Sequence, residues 1–94
     1  MKIKTNELTG AALDWAVAKA IGEYKPVAVP SYSTDWAPGG PIIDREGIEF
    51  RASGTQASIV DGRTYYGPTH LIAAMRCYVA SKLGDEVDVP EALA

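Results

Sequence analysis

Pro26, Pro30, Pro38 and Pro41 crowd the middle of this 94-residue chain, and they decide what it can fold into. Each lacks a backbone N–H and its ring clashes with the preceding helical turn, so a helix running through all four is excluded. The adjacent Gly39-Gly40 pair favours turn geometry. The sequence therefore predicts a chain with helix-like ends and a turn-rich centre. Within that centre, Tyr32–Ile43 carries hydroxyls, a carboxylate and an indole, and it is expected to form a loop, not a helix. Such a loop presents backbone amides and an aromatic surface, as binding sites do.

The flanks are more regular. A first helix is expected over Thr9–Ile21, with Thr9 as its cap, Leu8 and Leu13 as a hydrophobic staple, and Gly22 as its stop. Leu13, Ala16, Val17 and Ala20 recur at helical spacing and define one buried stripe, while Trp15 and Leu8 point elsewhere. Another helix is expected from Pro68 at its first position to Gly84 just past its end. Leu71, Ile72, Met75, Tyr78, Val79 and Leu83 form its broad apolar face. Ala73, Cys77, Ala80 and Ser81 form a small-residue side that suits close approach by a helix or a second subunit.

Between the helices, Arg45-Glu46-Gly47 reads as a tight turn joining Ile42-Ile43 to the alternating strand Ile48–Ala52 in a hairpin. Asp61-Gly62 reads as a two-residue hairpin turn between Ile59-Val60 and Arg63–Tyr66. These elements make one domain over residues 1–94, because a second would bury too little surface. The fold class is α+β, two helices packed on an antiparallel sheet of three to four strands. Residues 85–94 add an edge strand at Glu86–Val89 or remain a mobile acidic tail.

Composition narrows the chemistry. A single cysteine, Cys77, excludes an internal disulfide, and with the single histidine, His70, it argues against a cysteine or histidine metal centre. The net charge of −3, with dispersed arginines, argues against nucleic-acid binding. No stretch approaches the roughly 20 apolar residues of a membrane span. Nor does the amino terminus read as a cleavable secretion signal. Cys77 is two turns from His70 and in mid-helix, so it reads as a structural thiol. Neither a nucleophile elbow nor a Walker or dinucleotide loop occurs. Without a catalytic group or cofactor motif, the chain reads as a non-enzyme.

Binding chemistry is better represented. Gly67-Pro68-Thr69 opens a helix, where unpaired amides and the dipole favour an anion. Arg63 and Arg76 can offset phosphate charge, and Tyr66 can stack on a ring. Trp36 and Tyr32 offer a second aromatic wall. Ser33, Thr34 and Asp35 offer hydrogen bonds, and the amides of Gly39 and Gly40 complete the set. Together these suit a nucleotide-like small molecule.

Three blocks, Leu8–Lys19, Ser33–Ile43 and Gly67–Gly84, resemble the NinX-like family of small phage proteins from the early accessory region of lambdoid phages. The departure lies between Arg51 and Tyr66, where Gln56-Ala57 stands in place of an expected aromatic. The resemblance implies a phage origin and a host-cytoplasmic setting, and it carries no activity with it. In that setting the expectation is a homo-oligomeric protein that sequesters a nucleotide-derived signal of host defence, of cyclic ADP-ribose or cyclic nucleotide type. The alternative is a module that inhibits a host protein through the surface around Trp15 and the acidic tail.

Overall fold

The computed structural model describes residues 1–22, 29–51, 56–58 and 64–93. Its helices are α1 (Gly10–Ile21), α2 (Trp36–Glu46) and α3 (His70–Leu83). Its strands are β1 (Lys2–Lys4), β2 (Glu49–Arg51), β3 (Gln56–Ser58), β4 (Thr64–Tyr66) and β5 (Glu86–Asp88). The α+β class stands, with three α-helices and two small antiparallel sheets among the described residues where two helices and one sheet were expected.

The main correction is α2. Trp36–Glu46 is helical, although the sequence predicts a broken loop there and a hairpin turn at Arg45–Gly47. Pro38 falls in the first turn, where its missing N–H has no intrahelical partner to lose. Pro41 lies in the helix interior, but it and Ala37 are both exposed, so the carbonyl left without a donor faces water. Asp35 caps the start, its Oδ1 accepting from Ala37 N at 3.0 Å. Gly47, at φ 65°, ends the helix in the left-handed region instead of turning a hairpin. Ile42 is accordingly a buried helix residue, not a strand residue.

The central element is α3. It buries Leu71, Ala73, Ala74, Met75, Cys77, Tyr78 and Val79, which surround it on nearly every side. The small residues Ala73 and Cys77 therefore serve packing within the chain: α1, α2 and the three-stranded sheet all lie against this helix. Its cap is Thr69, one position beyond the expected Pro68 start, and Gly84 follows its end. In α1 the stripe Leu13, Ala16 and Val17 is buried as expected, and Leu8 is buried with it. Thr9 holds the cap position of α1 but makes no side-chain cap bond.

The sheets close the core from two sides. β2, β3 and β4 pair in sequence order, with Phe50 opposite Ala57 and Ala57 opposite Tyr65. The Asp61-Gly62 turn lies outside the described residues. The acidic segment after α3 does form a strand, but its partner is the amino terminus. β5 pairs with β1 so that Lys2 faces Asp88 and Lys4 faces Glu86, opposite charges directly across the ladder. The two sheets are tied by Tyr65 Oη, which donates to Asp85 Oδ1 at 3.0 Å. Thr5 Oγ1 adds a bond to Gly84 O at 2.7 Å.

Candidate functional site

Helices α2 and α3 run side by side in the same direction. Their starts share a groove lined by Ser33, Thr34, Trp36, Thr69, His70, Leu71 and Ile72. At the other end, Glu46 of α2 meets Lys82 of α3 at 3.6 Å. Parallel alignment brings two positive dipole ends together, an arrangement that repels itself and that an anion between them relieves. The groove measures about 270 Å³.

Gly39 allows this approach. A Cβ there would lie 2.6 Å from Tyr32 O and 2.8 Å from Leu71 Cδ1, so only a glycine lets α2 settle onto α3. Gly67 permits a different close approach, of the segment before α3 to the first turn of that helix, where a Cβ would stand 2.7 Å from Ala73 N. Neither glycine lines the groove itself. The Gly39 amide is itself occupied, donating to Asp35 O at 3.1 Å, and Gly40 lies within α2.

The polar groups of the groove sort by whether they are already used. Thr69 Oγ1 accepts from Ile72 N at 3.1 Å, and Thr69 O accepts from Ala73 N at 3.0 Å. That leaves the amides of His70 and Leu71 as the donors a helix start presents outward. Ser33 is held by its backbone N–H, which donates to Asp14 Oδ1 at 2.8 Å. The residue is 1 % exposed, yet its Oγ has no hydrogen-bond partner among the described residues. A buried polar group left unsatisfied costs about 1–3 kcal/mol. Over the groove stands the Trp36 indole, 54 % exposed. His70 is steadied by an edge-on contact with Phe50, the ring centres 5.2 Å apart.

Of the residues expected from sequence, Ser33, Thr34, Trp36 and Thr69 line the groove together. Asp35 caps α2 beside it. Tyr32 is buried behind Gly39. Arg76 and Tyr66 are not among the lining residues. Arg76 is a staple instead, its Nε donating to Leu8 O and its Nη1 to Tyr66 O, each at 2.8 Å. Burial pulls its pKa below the ordinary arginine value. Arg63 lies outside the described residues. His70, Leu71 and Ile72 are lining residues that the sequence reading did not assign to the site. Their signal was positional: they directly follow a capping threonine.

Further grooves lie among the described residues. One, about 450 Å³, is lined by Trp15, Asp14, Val29, Pro90 and Leu93, among others. Another, about 410 Å³, lies between Lys4, Tyr65, Asp85 and Glu86. Among the described residues no cluster of three or more metal-ligating side chains occurs. No helix among them is long and apolar enough to cross a membrane.

No curated protein matches the chain. A family model described as Bacteriophage P22, NinX matches residues 22–82. That span includes α2, the three-stranded sheet and nearly all of α3, and with them the whole groove. The amino-terminal block Leu8–Lys19 lies outside it. Since the match covers well over half of its length, the chain belongs to the NinX family of phage proteins.

Proposed function

We propose that this phage protein is a non-enzymatic binding protein of the host cytoplasm. Its ligand is a nucleotide-derived signalling molecule of host defence, of cyclic nucleotide or cyclic ADP-ribose type, which it sequesters. The observation that carries the reading is the convergence of two helix N-termini beneath an exposed indole. Helix starts favour negative oxygens through their unpaired amides and dipoles. An indole face takes a flat ring. Sequestration needs a preformed pocket with these properties and no bond-making group.

Isothermal titration against a panel of cyclic mononucleotides, cyclic dinucleotides and cyclic ADP-ribose tests the reading. A member that binds at micromolar affinity, loses binding in Trp36→Ala, and returns intact after heat release supports it. Absence of binding to every member at millimolar concentration refutes it, and chemically altered ligand refutes the non-enzymatic part.

A second reading rests on the groove where Trp15 meets Pro90 and Leu93. Here the protein would inhibit a host protein through the surface around Trp15 and the acidic carboxy-terminal segment. A stoichiometric host partner captured by wild type and by Trp36→Ala, but not by Trp15→Ala, favours this reading over the first.

A further inference from the structure

The groove between the starts of α2 and α3 holds its donors in a form that specifies the charge of its ligand. Ser33 Oγ lacks a partner among the described residues, although the residue is almost wholly buried and lines the groove. Its backbone is fixed through Asp14, so a single side-chain torsion decides where the hydroxyl points. The His70 and Leu71 amides are the outward donors of α3, and Thr34 and Thr69 supply further hydroxyls. These donors are neutral. The positive field comes from two helix ends, each equivalent to about half a unit charge, which sum to about one unit. The Asp35 carboxylate on the cap of α2 opposes any further negative charge.

We infer that the groove is a subsite for a singly charged phosphodiester, with Ser33 Oγ and the His70 and Leu71 amides donating to its two free oxygens and Trp36 covering the attached ring. This rests on the nucleotide-binding reading above and narrows it. A phosphodiester spreads one negative charge over two oxygens, which matches the field of two helix ends. A phosphomonoester at neutral pH or above carries nearly two charges and leaves the second desolvated without compensation.

The test uses the full chain and two probes that share the adenosine and differ in phosphate charge and in closure of the 3′,5′ ring, adenosine 3′,5′-cyclic monophosphate and adenosine 5′-monophosphate, titrated at about pH 8 where the monoester is dianionic. The cyclic diester is expected to bind at least tenfold more tightly. Ser33→Ala is expected to weaken the diester about tenfold without lowering the thermal midpoint, because it removes a hydroxyl with no hydrogen-bond partner among the described residues. Equal or tighter binding of the monoester overturns the inference and leaves the broader reading standing. So does a Ser33→Ala variant that binds the diester as wild type does. If neither probe nor any member of the wider panel binds, both fail together.

Discussion

Gly39 and Gly40 are neighbours in α2, and replacing each with alanine is expected to move stability in opposite directions. In a helix interior, alanine gains about 0.5–1 kcal/mol over glycine by restricting the unfolded chain. At position 40 the new Cβ meets only Trp36 Cε3 at 3.8 Å, an ordinary contact. Gly40→Ala therefore keeps the whole gain, which for a domain of this size raises Tm by about 2–8 °C. At position 39 the Cβ would fall 2.6 Å from the backbone oxygen of Tyr32 and 2.8 Å from Leu71 Cδ1. A flexible side chain can retreat; a main-chain carbonyl cannot without moving the segment that carries it. Overpacking of this kind costs about 1–3 kcal/mol, more than alanine returns. Gly39→Ala should lower Tm by roughly 4–10 °C and disturb the groove, since α2 must shift away from the Tyr32 carbonyl and Leu71. Thermal unfolding followed by circular dichroism reads both variants. A rise for Gly39→Ala or a fall for Gly40→Ala refutes the packing of α2 described above, and two falls would restore the loop that the sequence suggests.

Other consequences are as direct. Asp35→Ala and Thr69→Ala each remove a side-chain cap, and each should cost about 1 kcal/mol in urea denaturation. Arg76→Met strips two backbone carbonyls of a charged donor and should cost about 2–4 kcal/mol by the same assay, so a neutral result would discount the staple. The Asp88 carboxyl is held below its usual range by a hydrogen bond from the amino-terminal ammonium and by that group's charge. A lowered folded pKa gives stability that is present above the unfolded value and lost as pH falls through the folded one. The Tm difference between wild type and Asp88→Asn should accordingly shrink as pH drops below about 4; a constant difference would show that the ion pair contributes nothing.

What the sequence revealed and what it hid have physical reasons. α3 was readable because its stop, Gly84, and its apolar spacing agree, and a cap lies at its start. α1 was readable for the same reason, with Gly22 at φ 85° marking its end. α2 was hidden because proline and glycine counts weigh against a helix until tertiary contacts are known. Pro41 is tolerated because it faces water, and Gly39 is required because the Tyr32 carbonyl and Leu71 of α3 lie against it. A single sequence states neither fact. The pairing of the first residues with the last was hidden too, although the match of Lys2 and Lys4 with Asp88 and Glu86 was available in the composition of the two ends. The site followed the same division. Ser33, Thr34, Trp36 and Thr69, chosen by their chemistry, line one groove. Arg76 looked like a phosphate ligand by type, but the backbone oxygens of Leu8, far off in sequence, and of Tyr66 claim it for the fold.

The claim on which the rest depends is that the starts of α2 and α3 form one receptor for a flat anion. The chain has two tryptophans, and they sit in different grooves. Amide and indole NMR shifts during titration with adenosine 3′,5′-cyclic monophosphate therefore locate the ligand. The Trp36 indole and the amides of Ser33, His70 and Leu71 are expected to move together along one saturating curve while the Trp15 indole stays still. Shifts centred on Trp15 and Leu93, or a spectrum that does not change at millimolar ligand, would contradict it.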